Sequence, residues 1–307
     1  MASPSKQTKA LLKDLLKVTP LIEGDPDVSV VRRAYDEVFS SWNAPPSKPT
    51  REDWVKVEGL LPDDRALVVE PVGTTPPVAT LVFLHGGGWM LGSALAYAPM
   101  CRWICAHTGL RVIAPDFPLA PEHPAPAAEQ AIQKLLNWVG DTFDGALVLA
   151  GDSAGAQIAA ILSNSPPEDI NISAQALFYP VLDLRETTSY NSRRKYGGGK
   201  YFLSNEAIVG AAVGYCQNLE GAAASPQYSP VLETDFSRTP PTYILAPELD
   251  PLFDEAKLYA DKLRQSGVAT ELDVAKGTIH GCISFSGRVD EGLRSLQSAC
   301  AFITKHI

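Results

Sequence analysis

The sequence lacks features that several classes of protein require. No apolar run approaches the ~20 residues that span a bilayer, and the best candidate covers only residues 78–84. Basic residues are outnumbered, with 26 Lys and Arg against 35 Asp and Glu, which gives a formal net charge of −9. A nucleic-acid-binding surface needs a positive charge to displace counterions. We therefore expect neither a membrane span nor a nucleic-acid partner.

Cysteine is also scarce, and its five copies do not form a recognisable framework. An odd number at wide spacing is typical of reduced thiols in the cytoplasm. Cys101 and Cys105 lie one helical turn apart, but no histidine or third cysteine stands at metal-ligand spacing. The N-terminal residues 1–17 scatter charges among apolar side chains, unlike a signal peptide. These patterns predict a cytoplasmic protein without metal or cofactor.

Strand-like and helix-like segments alternate along most of the chain. We predict strands at 54–60, 66–72, 78–84, 111–114, 146–150, 174–179, 242–246 and 270–275. Helices are predicted at 95–107, 125–139, 155–164, 254–266 and 289–305. Runs such as LVFLH and ALVLAG are apolar on both faces, as in strands covered by helices on both sides. The pattern predicts an α/β fold with a mostly parallel central sheet, preceded by two hairpin-like strands.

Two segments depart from this alternation. Residues 1–50 are predicted to be amphipathic helices that pack on their own protein, and residues 183–230 an insertion over the sheet within a domain covering 51–307. One N-terminal stripe holds Leu11, Leu12, Leu15 and Leu16, and the other, after the start signal at 25–27, holds Val31, Tyr35, Val38, Phe39 and Trp42. The run Gly197-Gly198-Gly199-Lys200 is predicted to be a mobile loop, because Tyr201 replaces the hydroxyl of a phosphate loop.

Residues 151–155, Gly-Asp-Ser-Ala-Gly, are the strongest local motif. They follow a predicted buried strand and open a predicted helix, which is the context of a nucleophile elbow. So tight a turn needs small residues two positions either side of Ser153. The turn holds the hydroxyl at a helix N-terminus, where the N–H groups and the helix dipole favour an anion. The sequence therefore predicts that Ser153 is a nucleophile.

Residues 85–89, His-Gly-Gly-Gly-Trp, follow the strand LVFLH. Three glycines in a row expose backbone N–H groups with no side chain in the way, which suits an oxyanion hole. A phosphate loop is the competing interpretation, but no Lys-Ser or Lys-Thr follows the glycines. We therefore favour an oxyanion site at this strand end.

A serine nucleophile needs a general base, and the base needs an orienting acid. In the elbow fold the acid and then the base follow the serine, each on a loop at a strand end. His280 is the leading base, with a buried structural histidine as the alternative interpretation and His306 as a weak rival. Asp250 is the leading acid. Asp254 and Glu255 are rivals that better fit the start of the next helix.

Several motifs together resemble one known family. They are HGGGW at 85–89, PLAPEHPAPAA at 118–128, GDSAG at 151–155, YPVLD at 179–183, a Ser-Pro segment at 225–230, DPLFDE at 250–255 and HGCISF at 280–285. Over most of residues 80–290 the chain resembles the hormone-sensitive-lipase-like α/β-hydrolases, which include carboxylesterases and arylacetamide-deacetylase-like enzymes. One departure is Phe117-Pro118, where the family usually has Tyr-Arg.

The resemblance implies an α/β-hydrolase fold with a helical cap built from residues 1–50 and about 183–230. It also implies a role for each matching residue: Ser153 as nucleophile, Asp250 as acid, His280 as base, Gly87, Gly88 and Ala154 as oxyanion donors, Gly86 as part of that turn, and His85 as a structural support of the glycine loop. From their position beside these elements, Trp89, Leu252, Ile283 and Phe285 are predicted to line an apolar substrate pocket, with core packing as the equal alternative.

The expected activity is hydrolysis of short-acyl carboxylic esters through an acyl-enzyme, with a small-molecule ester as partner and a homodimer as one option for assembly. The same triad would serve a deacetylase, a lactonase or an acyltransferase acting on a specialised metabolite. A non-catalytic small-molecule receptor, like the plant gibberellin receptors, is the alternative from a different class. Those receptors lose the catalytic histidine, whereas all three triad positions are filled here.

Overall fold

The computed structural model describes residues 3–23, 27–60, 63–73, 75–185 and 189–307. Within them, eight strands form one sheet in the order β1-β2-β4-β3-β5-β6-β7-β8. They are β1 (Thr50–Lys56), β2 (Arg65–Pro71), β3 (Ala79–Leu84), β4 (Arg111–Pro115), β5 (Ala146–Asp152), β6 (Ile172–Phe178), β7 (Thr242–Pro247) and β8 (Thr270–Ala275). β2 pairs antiparallel with β1 and β4, and the other neighbours are parallel. The predicted α/β architecture is confirmed.

Helices connect the strands and precede them. They are α1 (Lys6–Glu23), α2 (Val28–Ser41), α3 (Ala94–Thr108), α4 (Ala127–Thr142), α5 (Ala154–Asn164), α6 (Asn191–Tyr196), α7 (Asn205–Tyr215), α8 (Leu219–Ala223), α9 (Phe253–Gln265) and α10 (Asp290–Lys305), with a short 3-10 turn at Pro230–Leu232. Among the described residues, no helix is long and apolar enough to cross a membrane.

Two apolar cores lie on opposite faces of the sheet because side chains alternate along each strand. In β3, Leu81 and Phe83 join the core under α1, α2, α3 and α10, whereas Val82 and Leu84 join the core under α4, α5 and α9. All six residues of β3 are buried. A central strand covered on both faces is accessible only at its ends, and the carboxyl end of β3 leads directly into the glycine loop.

The N-terminal helices are tied to the loop that follows β8. The Ser5 N–H donates to the Gly277 carbonyl at 2.9 Å, and the Gly287 N–H donates to the Trp42 carbonyl at 2.9 Å. The Asp27 side chain caps α2 by accepting from the Ser29 N–H at 2.8 Å, as the start signal predicts. Both helices are therefore anchored beside the carboxyl end of the sheet.

Two details of the sequence prediction are wrong. The first strand is β1 at 50–56 rather than 54–60, because it is a polar edge strand whose exposed side chains carry no apolar alternation. In α1, Leu11 and Leu15 are buried but Leu16 is 71% exposed. An apolar stripe in the sequence shows only which side chains are suitable for burial. In α1, the rest of the protein covers only part of that stripe.

Candidate active site

Ser153 occupies the single-residue turn between β5 and α5. The strand ends at Asp152 and the helix begins at Ala154. Ser153 has φ +52° and ψ −115°, an unusual conformation for a non-glycine residue. Its N–H donates to the Phe178 carbonyl of β6 at 2.9 Å, which fixes the turn against the neighbouring strand. The hydroxyl is thereby held at the carboxyl edge of the sheet.

The glycines on either side of Ser153 are required by close backbone contacts. A Cβ at Gly155 would lie 2.2 Å from the Leu84 carbonyl oxygen, and one at Gly151 would lie 2.7 Å from the Gly155 backbone. Real Cβ atoms do not approach backbone atoms so closely, so any side chain would displace α5 from β3. The prediction that this turn needs small flanking residues is confirmed.

Ser153, His280 and Asp250 form one chain of hydrogen bonds. The Ser153 Oγ lies 2.9 Å from His280 Nε2, and His280 Nδ1 lies 2.8 Å from Asp250 Oδ2. The other Asp250 oxygen accepts from the Leu252 N–H at 2.9 Å. Because a carboxylate can only accept, it places the proton of a neutral imidazole on Nδ1 and leaves Nε2 to accept from the serine hydroxyl.

The rival acids and base have other partners. Asp254 accepts from the Ser192 N–H at 2.9 Å. Glu255 is buried, accepts from the Leu182 N–H at 2.8 Å, and pairs with Arg193 at 2.7 Å, so it does not cap the helix in which it lies. His306 lies 2.8 Å, through Nδ1, from the carbonyl of Phe302 on its own helix. None of these contacts involves Ser153.

The glycine loop lies beside Ser153, with Gly87 at φ +117° and Gly88 at φ +60°. Within the part of the chain that the structure describes, the N–H groups of Gly87, Gly88 and Ala154 have no hydrogen-bond acceptor. Gly86 differs because its N–H donates to Asp152 Oδ1 at 2.7 Å. Gly86, which the family resemblance placed in the oxyanion turn without naming it a donor, therefore ties the loop to the elbow, and its N–H is not available to an oxyanion.

Asp152 is a residue to which the sequence analysis assigns no role. Its buried carboxylate accepts from the Gly86 N–H, from the Tyr97 hydroxyl at 3.1 Å and from the Tyr179 hydroxyl at 3.3 Å. Burial raises the pKa of Asp152 to about 6, against the lowering effects of these hydrogen bonds and of His280. A carboxyl group at the end of a buried strand, next to a candidate nucleophile, is the sequence signal that would have singled it out.

His85 supports the glycine loop from behind. Its Nδ1 lies 2.8 Å from the Gly86 carbonyl oxygen, and its ring stacks on Phe117 with centroids 4.3 Å apart. Phe117 is the residue that departs from the resembled family's usual pattern. Burial lowers the pKa of His85, which favours the neutral ring. This arrangement suits a structural histidine.

A small cavity of about 190 Å³ opens above Ser153. Its walls come from the glycine loop, the elbow, α2, the loop around His280 and the segment before and within α7. The described lining residues are Tyr35, Phe39, Gly87, Gly88, Leu91, Asp152, Ser153, Phe202, Leu203, Ala207, Ala211, His280 and Gly281. Hence α2 and the 183–230 segment, far apart in sequence, meet over one hydroxyl group.

The four predicted pocket residues do not line this cavity, and that prediction is corrected. They pack in the two cores, at 3% exposure for Trp89, 1% for Leu252 and 0% for both Ile283 and Phe285. Proximity in sequence to a catalytic loop brought them near the site, but their side chains point into the protein interior. The alternative considered for them, core packing, is what the structure shows.

Trp89 nevertheless links the glycine loop to the 183–230 segment. Its indole N–H donates to Gln157 Oε1 at 2.9 Å, and its ring stacks on Tyr215 at the end of α7 with centroids 4.6 Å apart. The Tyr215 hydroxyl donates to the buried Glu129 of α4. The position of the glycine loop is thus coupled to the packing of α7.

No group of three or more His, Cys, Asp or Glu side chains with metal-binding geometry occurs among the residues that the structure describes. The arrangement around Ser153 instead offers a hydroxyl, an imidazole, a carboxylate and free backbone N–H groups. Such a set can transfer an acyl group by nucleophilic attack on a carbonyl carbon.

Comparison with known proteins supports this architecture. A family model described as alpha/beta hydrolase fold matches residues 81–284. The chain belongs to this alpha/beta hydrolase family. The match covers the glycine loop, the elbow and the loop of His280, so it includes each element that builds the site. It also confirms the family resemblance drawn from the motifs.

Relatives and solved structures extend the comparison. The Mycobacterium tuberculosis protein named carboxylic ester hydrolase LipN is 32% identical over 225 residues, which are 69% of this chain and 58% of LipN. Ethyl acetate hydrolase of Pseudomonas putida is 29% identical over 238 residues, covering 75% of this chain and 74% of that protein. A hyperthermophilic esterase from Pyrobaculum calidifontis has a TM-score of 0.86 at 28% identity, covering 99% of this chain and 98% of that one. This chain therefore spans less than two thirds of LipN.

Proposed function

We propose that this protein is a serine carboxylesterase that hydrolyses small esters with short acyl groups. The observation that carries the proposal is the continuous chain Asp250–His280–Ser153, with contacts of 2.8 and 2.9 Å, beside a glycine loop in which the Gly87 and Gly88 N–H groups have no acceptor among the described residues. The names of the relatives, carboxylic ester hydrolase and ethyl acetate hydrolase, support the same bond type.

The reaction proceeds in two acyl-transfer steps. Ser153 Oγ attacks the ester carbonyl carbon while His280 Nε2 takes the hydroxyl proton. The tetrahedral oxyanion accepts hydrogen bonds from Gly87, Gly88 and Ala154 N–H groups. His280 then returns the proton to the departing alkoxide, and the alcohol leaves. Water repeats the sequence on the acyl-enzyme and releases the carboxylic acid.

Asp250 makes this proton transfer favourable. Its buried carboxylate contacts His280 Nδ1, holds Nε2 towards the serine and stabilises the imidazolium that forms during attack. The Leu252 N–H bond to its other oxygen keeps the carboxylate from rotating away. Both catalytic side chains are at least nine-tenths buried, so the charge pair forms where water screens it little.

The size of the cavity favours short substrates. At about 190 Å³ it is smaller than the roughly 300–1,000 Å³ of pockets that enclose drug-sized ligands. Its walls are formed mainly by apolar side chains such as Tyr35, Phe39, Leu203 and Ala211. A short hydrocarbon chain fits such a space, whereas a charged acyl group would lose its hydration without a compensating partner.

Hydrolysis of aryl esters from C2 to C12 by the native protein and by Ser153→Ala tests the proposal. We expect maximal kcat/KM at C2–C6 and a loss of about 10⁴–10⁶ in kcat for the variant. Equal rates for the two proteins would rule out the proposed mechanism. A maximum at C10–C12 would keep the chemistry but refute the assignment to short acyl groups.

Labelling with a fluorophosphonate separates an esterase from a receptor on the same fold. The activated Ser153 of an esterase forms a covalent adduct, and the adduct is absent in Ser153→Ala. His280→Ala should label far more slowly, because the hydroxyl loses its base. Failure of the native protein to label, while correctly folded, would favour a non-catalytic binding role.

The cytoplasm is the compartment that we propose for this activity. All five cysteines are free thiols in buried positions. An oxidising compartment favours disulfides in proteins that carry several cysteines. Fractionation of the native host, with the protein detected by antibody, tests this assignment, and recovery outside the cytoplasmic fraction would contradict it.

A further inference from the structure

Phe202 separates the catalytic cavity from a second, larger groove. The second groove has a volume of about 490 Å³ and lies between α1 and the glycine-rich turn that precedes α7. Among the described residues that line the two spaces, Phe202 alone borders both. Phe202 therefore lies between the two spaces.

The backbone at Phe202 is held in a rare conformation. Its φ is +79°, and the Leu203 N–H donates to the Tyr201 carbonyl at 3.1 Å across it, which makes a three-residue γ-turn. A positive φ strains the backbone of a non-glycine residue, and such strain concentrates at ligand-contacting sites. The turn is closed behind it by the Asn205 N–H, which donates to the Gly197 carbonyl at 2.8 Å.

The ring of Phe202 lies next to the loop of His280. It meets the ring of Phe285 edge-on, with centroids 6.0 Å apart. A Cβ placed on Gly281 would lie 3.7 Å from Phe202 Cε1, so the ring packs directly over the residue that follows His280. The strained turn thus aims a large apolar side chain at the edge of the reaction site.

The groove beyond Phe202 has one apolar wall and one polar wall. Leu12, Leu15 and Leu16 of α1 form the apolar wall. The opposite wall consists of glycine backbone at 197–199 with Lys200 and Glu206. A hydrocarbon chain lying along this wall would leave water and cover apolar surface of Leu12 and Leu16 that folding leaves exposed, most of it on Leu16.

We propose that Phe202 sets the length limit of the ester substrate by closing the catalytic cavity off from the groove between α1 and residues 197–206, a groove that holds the far end of a longer hydrocarbon arm once the ring is removed. The inference rests on the proposed esterase function. With phenylalanine in place, an arm that grows past the cavity meets the ring. With the ring removed, the arm passes over Gly281 into the groove and buries additional methylene groups.

The test compares Phe202→Gly and Phe202→Ala with the native protein and with Leu203→Ala. Glycine accepts a φ of +79° without strain, and this relief offsets part of the packing lost with the ring, so Phe202→Gly should still fold. Leu203→Ala is the matched control, because Leu203 lines the catalytic cavity but not the groove. It enlarges the cavity without connecting the two spaces.

Two substrate series identify the arm that uses the groove. One varies the acyl group of aryl esters from C4 to C10, and the other varies the alcohol of alkyl acetates over the same range. In one series, we expect the ratio of kcat/KM for C10 to that for C4 to rise about 10- to 100-fold in Phe202→Gly and Phe202→Ala. In Leu203→Ala, which enlarges the cavity without opening the groove, the ratio should rise clearly less than in either Phe202 variant.

An unchanged ratio in both series, in folded Phe202→Gly that still hydrolyses C4 esters, would overturn the inference. A native protein that already prefers C10 would overturn it as well, because the ring would then not limit length. These outcomes are distinct from failure of the proposed function. If the proposed esterase function is wrong, neither the native protein nor the variants would hydrolyse any ester, and the fluorophosphonate would not label Ser153.

Discussion

Two regions meet at Ser153 and differ in what holds them. The sheet edge, formed by residues 85–89, 151–155 and 277–282, is fixed by close backbone contacts at the elbow and by the hydrogen bond from the Gly86 N–H to Asp152. The pocket roof, formed by α2 and residues 197–215, is fixed by packing of side chains. A Cβ at Gly155 would lie 2.2 Å from a carbonyl oxygen, whereas one at Gly198 would have nothing within 4 Å. A side chain at Gly155 therefore requires the backbone to move, whereas one at Gly198 does not.

This difference separates chemistry from substrate choice. Backbone contacts at the edge demand particular residue types, so the motifs of the reaction are recognisable in a single sequence. The roof needs only apolar side chains of suitable volume, and many sequences satisfy that requirement. The sequence thus specifies the type of bond that is attacked more narrowly than it specifies the substrate that contains this bond.

Apart from loss of the nucleophile, the largest effect is expected from Asp250→Asn, which removes the acid that orients His280 of the edge. The amide keeps the shape of the side chain but favours the wrong tautomer of His280, so kcat should fall by about 10⁴. Asp254→Asn is the matched control four residues along, since its amide oxygen still accepts from the Ser192 N–H. Steady-state kinetics on a C4 aryl ester measures both, and similar losses in the two variants would contradict the assignment of Asp250.

A smaller effect, on stability, tests the difference in backbone contacts between the sheet edge and the pocket roof. Gly155→Ala should lower the free energy of unfolding by about 3 kcal/mol, because the clash with Leu84 outweighs the ~1 kcal/mol that alanine gains over glycine in a helix. Gly198→Ala should change it by less than about 0.5 kcal/mol. Urea denaturation gives both values. Equal stability of the two variants would show that the edge relaxes more easily than its contacts indicate.

The pH dependence of stability tests the buried carboxyl group behind the glycine loop. Burial raises the pKa of Asp152 from 3.8 to about 6, so the folded state binds more protons than the unfolded state between those values. This contribution to stability is present below about pH 4 and is lost as the pH rises through 6. A shift of about two pH units corresponds to roughly 2–3 kcal/mol.

Asp152→Asn removes that titration while keeping the shape of the side chain. The difference in unfolding free energy between the native protein and the variant should therefore change by roughly 2–3 kcal/mol between pH 4 and pH 7, with the native protein losing ground as the pH rises. Denaturation at four pH values measures it. A difference that stays constant over this range would contradict the raised pKa.

The secondary-structure elements that were predicted correctly from the sequence are those whose residue pattern has only one physical explanation. The buried run before Gly151 is a strand because it is apolar on both faces, and Asp27 starts a helix because its side chain caps one. The predictions were wrong where the structure of a segment depends on the segment that packs or pairs with it. β1 is a polar edge strand that only pairing with β2 reveals, and Leu16 is exposed although its residue type matches that of buried Leu15.

The roles of the site residues divide in the same way, into those that residue type and order predict and those that depend on distant contacts. Ser153, His280 and Asp250 were singled out by residue type and order, and their side chains lie in contact. Gly86 and Asp152 could not be paired from the sequence, because their hydrogen bond joins loops 66 residues apart. The four predicted pocket residues have the right polarity, but orientation sends their side chains into the core.

The sequence by itself determined the fold class and the chemical groups available for reaction, because strand burial, tight turns and nucleophile spacing restrict residue types locally. The tertiary structure alone decided which side chains enclose Ser153 and how far the cavity extends. Those properties depend on where α2 and the turn at Phe202 pack over the sheet edge. Such long-range packing constrains the volume and the orientation of side chains and not their local sequence pattern. It therefore cannot be predicted from any single segment of the chain.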